Sequence, residues 1–131
     1  MPRTELHKKF IFNRKIDHEW LYSLYEYDYP YIMEVFSNSL DALRQEHPAL
    51  SAAYENDDIP LLRKTIHKIK PLFGFVGLLD YQELAARFEN ACAGTKNTSN
   101  LTIQYIELVG IIDDAKATLL EECRRLNDFI G

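Results

Sequence analysis

Cysteine is scarce: there are two in 131 residues, with no C-x-x-C and no cluster of His and Cys. That argues against a disulfide framework and against a zinc finger. No apolar run approaches the roughly 18–20 residues needed to cross a bilayer. The opening Met-Pro-Arg-Thr-Glu-Leu-His lacks the apolar stretch of a secretory signal. Positive charge is in deficit, with 15 Lys and Arg against 20 Asp and Glu. An acidic chain is a poor nucleic-acid binder, because such affinity comes mainly from neutralising phosphates. Glycine and proline number five each, and no nucleotide-binding glycine loop is among them. The expectation is one cytoplasmic, monomeric domain without nucleic-acid or membrane partners, long enough to bury a single core.

What is present is helical periodicity. Residues 1–16 read as a loosely ordered basic lead-in whose Phe10-Ile11-Phe12 patch covers one end of a domain spanning 17–131. Asp17 caps a short helix ending near Glu26, with Trp20, Leu21 and Leu24 on its apolar face. Asp28 caps the next, and Pro30 sits in its first turn, where no N–H is needed. Ile32, Val35, Phe36, Leu40, Leu43, Leu50 and Tyr54 form its stripe, and Pro48 predicts a kink or brief break near Glu46 and His47. Asn56-Asp57-Asp58 ends that helix and caps a third, which runs to about Val76 and stops at Gly77. A fourth spans about Asp80 to Ala93, with Leu84, Phe88, Ala91 and Cys92 inward and Gly94 as its cap. Residues 94–100 are a loop. The last helix covers about 101–128, with Ile103, Ile106, Val109, Ile112, Leu119, Cys123 and Leu126 assigned to its apolar face. Short connections make neighbours antiparallel, so the expected architecture is all-α: a four-helix bundle with a short N-terminal capping helix.

The third helix carries the functional information. At about 100° per residue, Leu61, Leu62, Ile66, Ile69, Leu72, Phe73 and Val76 fall opposite His67. Arg63, Lys64, Lys70, Pro71 and Gly74 fall within about 60° of it. His67 therefore faces outward among cations, beside two residues that raise little side chain above the surface. Four basic residues and no acidic one lie between Leu61 and Lys70, in a chain that is acidic overall. Such a reversal suits an anion. A lone surface histidine and a solvated basic run would be the ordinary reading. Against it, Pro71 costs ~3 kcal/mol in a helix interior and Gly74 about 1 kcal/mol relative to Ala.

The segment from His67 to Leu78, H-K-I-K-P-L-F-G-F-V-G-L, resembles the active helix of histidine-containing phosphotransfer (HPt) domains, H-x-L-K-G-x-x-x-x-x-G. His67 matches the phosphorylated histidine, Ile69 the inward aliphatic residue, Lys70 the lysine three residues on, and Gly77 the glycine ten residues on. The likeness extends over about residues 17–128. Pro71 departs from the usual glycine, although both lack a protruding side chain. The resemblance also implies a Gln or Glu hydrogen-bonded to the imidazole. Hairpin arithmetic reaches the same place, because His67 and Glu89 both lie about 16 Å from a turn near Leu78.

The resemblance implies a phosphorelay intermediate rather than an enzyme. His67 would accept a phosphoryl group from an aspartyl phosphate on a response-regulator receiver and pass it to another receiver, with a hybrid sensor histidine kinase as a further partner. No cofactor or metal ligand is expected in this chain, since Mg²⁺ comes with the receiver. Lys64, Lys68, Lys70 and Glu89 would stabilise phosphate or orient the histidine, and Pro71, Gly74, Phe75 and Gly77 would admit the partner's loops. His7, His18 and His47 read as solvent-facing, and Cys92 and Cys123 as reduced core residues. The alternatives are an HPt-like bundle that docks receivers without carrying phosphate and a helical adaptor outside signalling. A carboxylate-bridged metal bundle would want inward Glu-x-x-His pairs, which the chain lacks.

Overall fold

A computed structural model describes residues 9–131. Helix α1 spans His18–Tyr25, α2 Tyr29–Glu55, α3 Ile59–Phe75, α4 Leu79–Ala93 and α5 Thr102–Ile130, with a single 3₁₀ turn at Thr98–Leu101 before α5. No strand occurs among the described residues. Asp17, Asp28 and Asp58 each cap the helix that follows, their carboxylates accepting from the N–H of Trp20, Tyr31 and Leu61. Pairing across the bundle runs in opposite directions on neighbouring helices. His67 meets Glu89 and Gly74 meets Gln82 between α3 and α4. Met33 meets Cys123 and Ser51 meets Tyr105 between α2 and α5. The helices are therefore antiparallel, with α2 seated on α3 and α5.

Both tight connections satisfy the last carbonyls of one helix while starting the next. After α3, the N–H of Leu78 donates to Phe73 and that of Gly77 to Gly74, a Schellman motif. Gly77 takes φ +76 there, which a glycine adopts without a Cβ penalty. After α2, Asp58 donates to Ala53 and Asp57 to Tyr54 in the same pattern. Asp57 holds φ 55 and accepts the Thr98 N–H at 2.6 Å, tying this turn to the one before α5.

Three expectations change. Of the kink or brief break expected near Pro48, the break does not occur, because helix α2 is continuous from Tyr29 to Glu55. Ile103 and Ile106 on α5 are not core residues but 82% and 66% exposed. The stripe of α5 that faces inward is Leu108, Ile112, Ala115, Leu119, Glu122 and Leu126, stepping by three and four residues. Its polar member, Glu122, breaks the apolar pattern. The lead-in is not loose where it is described; residues 1–8, including His7, lie outside the description. Phe10, Phe12 and Ile16 are buried in the core, and Glu122 accepts from the Asn13 N–H at 2.9 Å. Arg125 binds both Glu122 and the Ile11 carbonyl. Lys15 reaches Asp114, which also accepts from Tyr81 of α4. The strap is thereby fastened to α4 and α5.

Candidate functional site: a histidine on the α3–α4 face

Leu62, Ile66, Ile69, Phe73 and Val76 are fully buried, and that apolar stripe turns His67 outward from the middle of α3. Leu61, expected among them, is instead exposed. The His67 side chain is 71% exposed and its Nδ1 lies 2.8 Å from Glu89 Oε2. Glu89 Oε1 accepts from Lys70 Nζ at 2.7 Å. The Lys70 ammonium, first, and the His67 bond hold the Glu89 carboxyl below its ordinary range, while partial burial pushes the other way. The group is therefore ionised at neutral pH and can only accept. His67 Nδ1 must then be the donor, which leaves Nε2 with an in-plane lone pair directed at solvent when the ring is neutral.

His47 provides a contrast within the same molecule. Its Nδ1 lies 2.5 Å from Lys116 Nζ, and an ammonium has no acceptor. His47 Nδ1 therefore accepts and its proton sits on Nε2, the tautomer without a nucleophile at that atom. Burial, then the Lys116 charge, lowers its pKa, against a smaller opposing effect of Asp113. His47 is half-buried rather than solvent-facing.

The residues around His67 divide by side. Lys68 leans toward α2, its Nζ 3.9 Å from Glu46. Lys64 is exposed and forms no ion pair among the described residues. Pro71 is half-buried within an unbroken α3, and Phe75 is exposed. Two expected openings are closed. A Cβ on Gly74 would stand 2.6 Å from Gln82 Nε2, so α4 covers that position. The Gly74 carbonyl also accepts from Trp20 Nε1 at 2.8 Å. Gly77 is buried beneath Ile16, Asp17 and Leu21. Both glycines are buried, and each permits close approach within the chain.

Sequence periodicity did not reach α1's contribution. Besides the Trp20 bond, Tyr25 Oη donates to the Phe75 carbonyl at 2.8 Å and the Asp17 N–H to that of Gly77 at 2.8 Å. Helix α1 thus caps the C-terminal end of the helix that carries His67. Leu24, Tyr25, Tyr31, Val35, Leu72 and Phe75 line an open apolar cleft of about 530 Å³ beside it, between α1, α2 and α3. No group of three or more His, Cys, Asp or Glu side chains among the described residues is placed to hold a metal ion. No helix of the described chain is long and apolar enough to cross a membrane.

His67 is thus an exposed histidine with one nitrogen held by a carboxylate, midway along a helix of an antiparallel bundle. Residues 34–128 match the Hpt domain family model, and the chain belongs to that family. Its members are phosphocarriers of phosphorelay signalling rather than catalysts, working with receiver and kinase proteins. No curated protein and no solved structure matches the chain significantly.

Proposed function

We propose that His67 accepts a phosphoryl group from the aspartyl phosphate of a response-regulator receiver and passes it to a second receiver. The observation that carries this reading is the 2.8 Å bond between His67 Nδ1 and Glu89, which fixes the nucleophilic tautomer. The Nε2 lone pair attacks phosphorus, and an N–P bond forms as the acyl-phosphate P–O bond breaks. The receiver carboxylate leaves with that electron pair. The Nδ1 proton stays in place, so the phosphorylated ring carries positive charge opposite the ionised Glu89. Such transfer is mostly positioning and charge stabilisation. Mg²⁺ and the remaining catalytic groups belong to the receiver. The apolar cleft ending at Phe75 gives a receiver a surface to dock against, with Pro71 between it and His67. Delivery of the phosphoryl group by a hybrid sensor kinase, and action in the cytoplasm as a monomer, complete the reading.

The test is transfer from a panel of radiolabelled phosphorylated receiver domains to wild type and His67→Gln, with circular dichroism as the fold control. Wild type should take label in an acid-labile, alkali-stable form, and the folded variant should take none. A folded variant that labels as wild type does would overturn the site. A wild type that binds receivers without ever taking label would instead make the protein a docking adaptor.

A further inference from the structure

The lysines around His67 sit on opposite sides of its ring, and that difference assigns them different work. Glu89 on α4 holds Nδ1, so the Nε2 edge of the imidazole points away from α4. At about 100° per residue, Lys70 lies about 60° from His67 on one side and Lys64 about 60° on the other. The contacts settle which side is which. Lys70 Nζ is 2.7 Å from Glu89 on α4, whereas Lys68, about 100° round on Lys64's side, is nearest to Glu46 on α2. Helical side chains also lean toward the N-terminus, which lays the imidazole over the preceding turn, the one that contains Lys64.

Glu89 divides its two oxygens, Oε1 to Lys70 and Oε2 to His67. A carboxylate held at one oxygen presents the other in a fixed direction. We propose that Lys70 is a positioning residue, aiming Glu89 at Nδ1, and that Lys64 is the cation that meets the phosphoryl group on Nε2. The assignment rests on the phosphoryl-accepting reading of His67. Lys70 is half-buried and committed to α4; Lys64 is exposed, has no ion-pair partner among the described residues and lies on the nucleophilic edge. An added phosphoryl group carries nearly two negative charges, and an exposed ammonium one turn away can meet it. Lys68 is already drawn toward Glu46 and stands further round the helix.

Nitrogen-15 NMR of the imidazole, at a pH above its titration, reads the first half without any phosphate present. Lys70→Met should lower the Nδ1-protonated fraction several-fold, as Glu89→Ala should, and Lys70→Arg should restore it. Lys64→Met should leave the tautomer unchanged. The second half is read with phosphoramidate as the donor, whose P–N bond breaks with release of ammonia as the N–P bond to His67 forms. Lys64→Met should label about tenfold more slowly than wild type. A wild-type tautomer in Lys70→Met overturns the positioning role, and wild-type labelling in Lys64→Met overturns the phosphate role. Should wild type itself refuse phosphate from this donor and from receivers alike, the reading of His67 and the Lys64 assignment fall together. The tautomer measurement would still decide Lys70.

Discussion

His67 and Glu89, twenty-two residues apart in sequence, face each other across the α3–α4 hairpin with 2.8 Å between Nδ1 and Oε2. Their juxtaposition follows from the turn midway between them. The Gly77 Schellman motif fixes where α3 ends, and each helix then carries its residue the same distance back from the turn.

Glu89→Ala should move the neutral His67 ring toward the Nε2-protonated tautomer and slow phosphoryl acceptance by tenfold or more. Glu89→Gln, whose carboxamide oxygen still accepts from Nδ1–H, should retain much of the rate. Imidazole nitrogen shifts and labelling kinetics check both. Because Lys70 and His67 lower the Glu89 pKa in the folded state, the carboxylate's contribution to stability is present above the ordinary carboxylate range. It is lost as pH falls through the depressed value. Chemical unfolding of wild type and Glu89→Gln should therefore converge on acidification below about pH 4.

Gly77→Ala and Gly94→Ala should differ sharply. At Gly77 a Cβ would meet Ile16 Cγ2 at 3.1 Å and the Asp17 carbonyl at 3.2 Å, with φ +76. A loss of about 1–3 kcal/mol is expected. At Gly94 φ is −97 and the nearest atom would lie at 3.8 Å, so the substitution should be neutral or slightly stabilising. Thermal melts of the two variants test the contrast.

His47 should make the fold sensitive to mild acid. Its pKa is lowered in the folded state, so the unfolded chain takes up the proton first as pH falls. The stability that this group confers is complete above about pH 6.5 and declines below it, until the depressed folded value is passed. Urea midpoints at pH 7.5 and 5.5 should fall further for wild type than for His47→Gln. Equal falls would show that His47 carries no proton linkage to folding.

Glu122→Leu should release the N-terminal strap. The buried carboxylate accepts from the Asn13 N–H and from Arg125, and losing both bonds should cost about 1–3 kcal/mol. Arg125, partly exposed, can turn to water. Amide exchange at Asn13 should accelerate while that of Leu119, in the middle of α5, changes only with global stability.

Elements bounded by strong local signals were legible in the sequence. Asp17, Asp28 and Asp58 mark helix starts, Gly77 marks a stop, and together they place His67 against Glu89 before any coordinate is known. Along α5, Ile112, Leu119 and Leu126 were read inward and are buried, but the first turns were misread, because Ile103 and Ile106 face solvent and a glutamate completes the inward stripe. Periodicity ranks faces by how apolar they are, and here a polar group that fastens the strap sits on the buried one. Gly74 was misread for a related reason. A helical wheel shows which way a position faces, but not that Trp20 and Gln82 arrive from other helices to cover it.

The chain has a single tryptophan, and that residue is the one whose indole N–H closes the end of α3. It is partly exposed and lies on the same short helix that supplies Leu24 and Tyr25 to the cleft beside α3. The molecule therefore carries its own optical probe at the joint between the cap and the histidine helix. A change in indole emission on mixing with a tryptophan-free receiver would report that joint alone, without any label being introduced.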